Sequence, residues 1–146
     1  METILFKKES KLSNYYECTV KYSGMKFGSS EAAYQSQKVK DFDIQRKFMR
    51  LTPDQSKKMA RKLKESWRAD WDTHKLKCMY WIVRNKMLQN KECLDELIST
   101  GDKVLIEDTT GWHDNVWGSC SCDKCKNKEH QNNLGKTLMR IRDELR

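Results

Sequence analysis

Apolar and polar residues alternate in the first part of the chain, as they do in β-strands with one buried face. The alternation predicts short strands over residues 4–6, 18–22 and 25–27, and Ser23-Gly24 supplies a turn between the last two. We therefore expect a small antiparallel sheet at the start of the domain.

Helical spacing of apolar residues follows in the middle of the chain. The segment 52–55, Thr-Pro-Asp-Gln, predicts a helix start: threonine can cap the helix, proline fits its first position and glutamine can close a capping box. The apolar residues of this helix are Met59, Ala60 and Leu63, extended by Trp67. A second helix is predicted after Asp72, with an apolar stripe of Leu76, Met79, Tyr80, Val83 and Met87.

The C-terminal part of the chain predicts a helix, a strand and a final helix. Leu94, Leu97 and Ile98 indicate a short helix that Gly101 can end with a left-handed cap, and residues 104–106 are typical of a buried strand. The last helix has an apolar stripe of Leu134, Leu138, Ile141 and Leu145. We expect this helix to dock against the rest of the chain, and no repeat or linker divides the sequence.

The composition limits the class of protein. A length of 146 residues fits one domain over 1–146, and 37% hydrophobic residues with five tryptophans exclude a disordered chain. No apolar run reaches the roughly 20 residues that span a bilayer, and the N-terminus lacks a leader pattern, so we expect a cytoplasmic protein without a membrane partner. The net charge of +8 favours anionic partners, a nucleotide and a nucleic acid equally.

A polar face is predicted on the helix that Ser29 or Ser30 can cap. Its spacing of i, i+3, i+4 and i+7 combines a carboxylate, a phenol, an amide and an amine: Glu31, Tyr34, Gln35 and Lys38. When partly desolvated, Lys38 would supply a neutral amine as nucleophile beside the Glu31 carboxylate. The alternative is an exposed helix with ordinary surface charges.

The segment 67–72, Trp-Arg-Ala-Asp-Trp-Asp, joins two of the predicted helices. Its aromatic planes, guanidinium and carboxylates are the groups that a site for a flat base and a phosphate uses. The alternative is packing, which we expect for Trp67.

The segment 111–118, Gly-Trp-His-Asp-Asn-Val-Trp-Gly, follows the strand predicted over 104–106, and loops at strand ends commonly carry site residues. Asp114 is a candidate acid or base for chemistry in which a nitrogen base leaves a sugar and positive charge builds on that sugar. The alternative is an aspartate that only shapes the turn.

Six cysteines without a leader pattern indicate reduced thiols or metal ligands. Buried apolar thiols account for three of them, Cys18, Cys78 and Cys93. The other three lie close together in the sequence, at Cys120, Cys122 and Cys125. With His130 or His113 they would satisfy tetrahedral zinc, but their spacing matches no standard finger. We therefore expect reduced loop thiols and no required cofactor or metal, with a structural zinc beside Asp114 as the alternative.

These segments together resemble the YbiA/NADAR family over nearly the whole chain. The matching segments, in chain order, are 12–16, 30–38, 68–72, 100–102, 114–118 and 133–139. The segment 30–38 is similar to the family's Glu-x-x-Tyr-x-x-x-Lys helix, and 68–72 resembles its central Arg-x-x-Trp element. The cysteine-rich loop 120–125 departs from the family, in which many relatives have small polar residues there, and this departure leaves the choice of substrate open.

The resemblance implies an α+β fold, a mainly helical single domain with a small antiparallel sheet. It also implies an N-glycosidase that hydrolyses a ribose C1–N bond, either in phosphoribosylamino-pyrimidine intermediates of riboflavin synthesis or in ADP-ribosylated guanine. The expected partner is a phosphorylated ribosyl or ADP-ribosyl compound, including ADP-ribosylated DNA. The alternative is a non-catalytic module that binds ADP-ribose or NAD; a basic zinc module acting on nucleic acid explains less of the sequence.

The resemblance also implies roles for individual residues. Lys38, Glu31 and Asp114 are expected to be catalytic, with Lys38 forming an imine with the opened sugar and the two acids moving protons. The residues expected to bind substrate are Asn14, Tyr34, Arg68, Trp71, Trp117 and Gly118.

Overall fold

The computed structural model of the chain describes residues 2–146, and the backbone forms two compact units. The central unit is the continuous stretch Asn14–Lys91. The terminal unit combines residues 2–13 with Glu92–Arg146, so that both ends of the chain belong to it.

The central unit begins with an antiparallel hairpin. The hairpin pairs β2, Glu17–Tyr22, with β3, Met25–Ser29. The first strand of the chain, β1, is Thr3–Phe6 and belongs to the terminal unit. Ser23 and Gly24 connect β2 and β3 with φ angles of 52° and 77°, the left-handed conformation that tight hairpin turns require. The predicted hairpin and its turn are confirmed, because a period of two and a glycine at the turn are both local signals.

Four helices make up the rest of the central unit: α1 Ser30–Ser36, α2 Phe42–Lys47, α3 Pro53–Lys62 and α4 Trp71–Gln89. Short 3-10 turns follow α2 and α3, at Phe48–Arg50 and Lys64–Ser66. Helix α3 starts as predicted: the Thr52 side chain accepts from the amide of Gln55, and the Gln55 side chain accepts from the amide of Thr52. Helix α1 packs against α3 and α4, and α4 packs along β2.

The apolar stripe of α4 was predicted correctly in its second half. Met79, Val83 and Met87 are buried and Tyr80 is partly buried, but Leu76 is 48% exposed, so its predicted burial is wrong. Leu76 lies on the same stripe towards the start of the helix, whereas the hydrogen bonds from α4 to the backbone of β2 come from the end of α4, for example from Gln89 to the Lys21 carbonyl. Helical period indicates the face of a residue and not whether another element covers it.

The terminal unit contains β1, α5, β4 and α6. Helix α5 is Lys91–Ser99, and all of it except Lys91 belongs to this unit; β4 is Val104–Glu107 and α6 is Asn133–Leu145. Strand β1 pairs in parallel with β4, Thr3 opposite Val104 and Phe6 opposite Glu107. The prediction that residues 4–6 join the antiparallel sheet of the next two strands is therefore wrong. A parallel partner requires a long connection, and local alternation carries no information about it.

Helix α6 is docked on β4, as predicted. Leu134, Leu138 and Ile141 are fully buried, and Leu145 is partly buried. Arg142 is 4% exposed and donates to the Thr100 hydroxyl and the Lys103 carbonyl, which fixes the helix end against the turn before β4. Among residues 2–146, no helix combines the length and apolar character that crossing a membrane requires.

Candidate functional site

Helix α1 is buried along its whole length, although most of its residues are polar. Ser29 caps it, since its side chain accepts from the amide of Ala32. The exposed-helix alternative is therefore wrong. The helix ends at Ser36, so Lys38 lies in the following turn and not on the helical face where the sequence spacing placed it.

Asn14 holds the first turn of α1. Its side-chain oxygen accepts from the Ser30 hydroxyl at 2.9 Å, and its backbone carbonyl accepts from the amide of Glu31 at 3.1 Å. Its side-chain NH₂ donates to the Met79 sulfur at 3.3 Å. Asn14 thus fixes the start of α1, its backbone through Glu31 and its side chain through Ser30, and the role in substrate binding expected for Asn14 stays a prediction.

Glu31 and Gln35 form a buried pair one helical turn apart. The Gln35 side-chain nitrogen donates to Glu31 Oε2 at 2.6 Å, and the two residues are 8% and 5% exposed. The Gln35 side-chain oxygen is buried without a hydrogen-bond partner within residues 2–146. A buried acceptor left unsatisfied costs about 1–3 kcal/mol, so this oxygen is suited to a hydroxyl or amino group of a ligand.

The amine of Lys38 lies among three aromatic rings, which we call the aromatic cage: Tyr34, Trp67 and Trp71. The amine is 4.3 Å from the Trp67 ring centroid, 5.6 Å from that of Tyr34 and 6.0 Å from that of Trp71. The Tyr34 and Trp71 rings contact each other at 5.2 Å. The Trp67 indole donates to the Ala60 carbonyl at 2.8 Å, which fixes the ring nearest to the amine.

Burial lowers the pKa of Lys38 from its usual 10.5 to about 8. The Glu31 carboxylate opposes this change, whereas the charges of Lys57 and Arg61 add to it. The aromatic rings favour the ammonium form, but loss of hydration dominates. With this pKa, about one amine in ten is unprotonated at pH 7, compared with roughly one in 3,000 for an exposed lysine.

Arg68 is engaged by its neighbour Asp70 through two hydrogen bonds, of 2.6 and 3.1 Å. This ion pair raises the pKa of the Arg68 guanidinium and lowers the pKa of the Asp70 carboxyl. The backbone amide of Arg68 donates to the carbonyl of Lys38 at 2.7 Å. The backbone of Arg68 therefore joins the 67–72 segment to the turn after α1, and the role in substrate binding expected for Arg68 stays a prediction.

The exposed side of α3 carries a basic groove of about 260 Å³, lined by Lys58, Arg61 and Lys62. Arg61 also acts electrostatically on Lys38. The positive charge near the amine therefore comes largely from α3.

In the terminal unit, Asp114 shapes a turn. Its Oδ1 accepts from the amides of Val116 at 3.0 Å and Trp117 at 2.9 Å, and its backbone carbonyl accepts from the Thr109 hydroxyl at 2.7 Å. These bonds show the turn-shaping role that was the alternative to catalysis for Asp114. Gly118 has a packing reason as well, because an added Cβ would lie 2.5 Å from the Glu107 carbonyl oxygen.

A second group of chemically reactive side chains lies in the same loop. His113 Nδ1 is 3.4 Å from the sulfurs of Cys120 and Cys122 and 3.5 Å from that of Cys125. His130 is engaged elsewhere, between the Ser119 hydroxyl at 2.7 Å and the Cys125 carbonyl at 2.6 Å. Of the two histidines considered from the sequence, the structure therefore places His113 with the thiols.

Several of the predicted site residues meet in the central unit: Glu31, Tyr34, Lys38 and Trp71. Three others belong to the terminal unit, namely Asp114, Trp117 and Gly118, and their catalytic or binding roles stay predictions. Sequence reasoning assigned Trp67 to packing, whereas its ring is the aromatic ring nearest to the Lys38 amine. No local pattern reveals this contact, because it depends on how the segment after α3 returns to the turn after α1.

Fold and site together define an α+β protein in which a buried polar helix and the turn after it bring a carboxylate and a caged lysine together. The chain belongs to the NADAR family, since the NADAR domain matches residues 5–146 and thus spans both units.

Three relatives illustrate this membership. A riboflavin biosynthesis protein of Vibrio vulnificus is 35% identical over 92% of this chain, and an N-glycosidase of Nostoc punctiforme is 36% identical over 65% of it. The chain spans only 35% and 56% of the lengths of these two proteins. The N-glycosidase YbiA of Escherichia coli is 29% identical over 91% of this chain and 79% of its own length.

The NMR structure of Escherichia coli YbiA has the same fold as this chain. The two superpose with a TM-score of 0.81 at 26% identity, covering 99% of this chain and 86% of YbiA. The expected α+β fold is confirmed by this similarity.

Proposed function

We propose that the protein is an N-glycosidase that hydrolyses the bond between ribose C1 and a base nitrogen in a phosphorylated ribosyl or ADP-ribosyl compound. The observation that carries the proposal is the Lys38 amine, which is held in the aromatic cage with a pKa of about 8 and with the buried Glu31 carboxylate within electrostatic reach. The N-glycosidase names of two relatives support the reaction type.

Lys38 is the proposed nucleophile. Its neutral amine attacks ribose C1, forming a C–N bond, while the bond from C1 to the base breaks and its electron pair passes to the base nitrogen. The added nitrogen gives one proton to Glu31; the bond from C1 to the ring oxygen then opens, its electron pair passes to that oxygen, and the oxygen takes the second proton. An imine remains between Lys38 and the open sugar. Water adds to that imine, releases the sugar and restores the amine.

Glu31 and Asp114 are the proposed proton-transfer residues. Glu31 accepts a proton from the attacking amine, because its negative charge already acts on Lys38. The leaving base nitrogen needs a proton in the same step, and Asp114 is the proposed donor. Oδ1 of Asp114 is used in the turn, and Oδ2 is the oxygen left for this task.

The aromatic cage suits the charge that the reaction creates. Breaking the bond to the base builds positive charge on the sugar, and aromatic faces attract cations by about 0.5–2 kcal/mol per contact. Tyr34 and Trp71 are buried at 4% and 6% exposure, so their rings are held rigidly in place. Trp67, the partly exposed ring of the cage, offers a flat surface on which a sugar or base can stack.

The basic groove on α3 supports a phosphorylated substrate. Its three cations attract phosphate, and Arg61 also lowers the Lys38 pKa. A bound phosphate would partly offset that positive potential. Both candidate substrate classes, phosphoribosylamino-pyrimidines and ADP-ribosylated guanine, contain such a phosphate. The riboflavin biosynthesis name of the Vibrio relative supports the first class.

The test is release of free base from each candidate substrate, followed by mass spectrometry, with Lys38→Ala compared to Lys40→Ala. Lys40 is exposed and two residues away, so its variant controls for local charge. Borohydride added during turnover should trap the sugar on the wild-type chain, and peptide mapping should place the added mass on Lys38. An active Lys38→Ala variant would overturn the nucleophile assignment.

The second candidate function is a non-catalytic module that binds ADP-ribose or NAD. The orphaned Gln35 oxygen and the aromatic cage favour it as much as they favour an enzyme. Under this alternative, ADP-ribose binds saturably in calorimetry while prolonged incubation with every candidate substrate releases no base. Release of base at a rate that depends on Lys38 would exclude it.

A further inference from the structure

Four side chains with metal-binding atoms converge in the loop of the terminal unit: His113, Cys120, Cys122 and Cys125. Their four ligand atoms all lie within 4.8 Å of one another, and the three sulfurs surround His113 Nδ1 at 3.4–3.5 Å. Hydrogen bonding alone does not explain this arrangement, because a neutral imidazole nitrogen accepts one hydrogen bond and here faces three thiols at nearly equal distance.

The spacing matches tetrahedral zinc. Bonds of about 2.3 Å to sulfur and about 2.0–2.1 Å to nitrogen, at tetrahedral angles, place each sulfur roughly 3.5–3.6 Å from the nitrogen. The observed distances of 3.4, 3.4 and 3.5 Å agree with that value. None of the three thiols forms a disulfide.

Neighbouring groups hold the ligands in the way that outer partners of a metal site do. The Asn115 side chain accepts from the amide of Cys120 at 2.9 Å and also hydrogen-bonds the Cys125 sulfur. His130 fixes the Cys125 carbonyl at 2.6 Å. His113 itself has a φ of 60°, a left-handed conformation that is uncommon for a non-glycine residue and that local structure must hold.

Hydrogen bonds tie the loop together, but few of its side chains are buried. Residues 108–132 contain neither helix nor strand, and between residues 110 and 132 the buried positions are Gly118, Cys120 and Cys125. An apolar cluster of this size does not offset the conformational entropy lost on ordering such a segment. A structural metal supplies the missing free energy in other small units that lack an apolar core.

We propose that His113, Cys120, Cys122 and Cys125 bind one Zn²⁺ ion that stabilises the loop between β4 and α6. Four protein ligands fill the tetrahedral coordination sphere, so this zinc is structural and not catalytic. The proposal is independent of the glycosidase reaction, and it differs from the expectation of reduced loop thiols that the sequence spacing favoured.

The test is the zinc content of the full-length protein, purified under reducing conditions in zinc-containing buffer and then passed over a chelating resin. Elemental analysis should give one zinc per chain for the wild type and for the control Cys18→Ser. Cys122→Ser should lose most of it; Cys122 is only partly buried, so its substitution leaves the packed thiols in place. His113→Ala should lose zinc, whereas His130→Ala, which removes an outer partner and no ligand atom, should bind zinc more weakly than wild type and more tightly than His113→Ala.

Cobalt provides a second readout that does not depend on the stability of a variant. Wild-type protein loaded with Co²⁺ should show intense visible d–d bands and near-ultraviolet charge-transfer bands of tetrahedral thiolate coordination. The proposal is overturned if wild-type protein holds no more zinc than Cys122→Ser, or if thiol titration finds a disulfide within the cluster. Zinc retention by His113→Ala together with its loss in His130→Ala would overturn the ligand set.

Discussion

The backbone amide of Arg68 donates a 2.7 Å hydrogen bond to the backbone carbonyl of Lys38. This single contact joins the turn after α1 to the segment before α4, which are separate motifs in the sequence. It places Trp67, the residue before Arg68, next to the Lys38 amine, at 4.3 Å from the ring centroid. The reactivity of the lysine therefore depends on a backbone contact as well as on its side-chain neighbours.

The rate should depend on pH through the Lys38 amine. Because only the free amine attacks and its pKa is about 8, a plot of log kcat/KM against pH should have a break near pH 8, where its slope decreases by about one unit. The measurement is kcat/KM for base release from pH 6 to pH 10.

Two substitutions should move this break in opposite directions. Glu31 raises the pKa of Lys38 and Lys57 lowers it, so Glu31→Gln should shift the break below pH 8 and Lys57→Met should shift it above. The residual rate of Glu31→Gln suffices for the measurement, since the position of the break does not depend on its height. A wild-type profile without a break below pH 10 would contradict the assignment, because the usual pKa of lysine is 10.5.

Lys38→Met should abolish activity and stabilise the fold. The folded pKa of about 8 lies below the usual 10.5, so at neutral pH folding is penalised by burying the ammonium, and methionine removes that penalty. The expected gain is about 1–2 kcal/mol in the free energy of unfolding at pH 7, measured by urea denaturation.

The sign of the pH dependence follows from proton counting. Between pH 8 and 10.5 the unfolded wild-type chain binds more protons at Lys38 than the folded chain, so wild-type stability rises with pH. The advantage of Lys38→Met should therefore shrink across this range. The exposed control Lys40→Met should stay within about 0.5 kcal/mol of wild type at every pH.

Much of the fold could be predicted from local sequence patterns, whereas much of the candidate site could not. The Thr52 capping box and the Ser23-Gly24 turn were predictable because each depends on residues that are close in sequence. The parallel partner of β1 was not predictable, because β4 lies far along the chain. The end of α1 at Ser36 was not predicted either. Lys38 has the sequence spacing of the next residue on the polar face, but the helix ends two residues before it.

The same division applies to the candidate site. Lys38 and Glu31 were identifiable through the family resemblance, and the structure adds that both belong to a buried segment. The contributions of Trp67 and His113 could be recognised only from the three-dimensional structure. Their roles depend on contacts with Lys38 and with three cysteines, and spacing gave no reason to prefer His113 over His130.

Gly118→Ala should destabilise the protein. An added Cβ would lie 2.5 Å from the Glu107 carbonyl oxygen and would also clash with the Thr109 side chain, so the loop or β4 must shift. The expected loss is about 1–3 kcal/mol in the free energy of unfolding, measured by urea denaturation. Gly28→Ala is the matched control, because no atom lies within 4 Å of its added Cβ, and it should change stability by less than about 0.5 kcal/mol. Equal stability of the two variants would show that the loop accommodates a methyl group at Gly118.

Substitutions at Asp114 should separate its turn role from its proposed role as an acid. Oδ1 accepts from the amides of Val116 and Trp117, and asparagine keeps an oxygen for both bonds while losing the ability to donate a carboxyl proton. Asp114→Asn should therefore keep the thermal midpoint of wild type and lower kcat by about a hundredfold or more. Asp114→Ala should lose both the rate and about 1–2 kcal/mol of stability, as losing a capping acceptor does. Thermal unfolding and base release measured on both variants check this. Full activity of Asp114→Asn would mean that the carboxylate only shapes the turn, and that the leaving base takes its proton from Glu31 or from water.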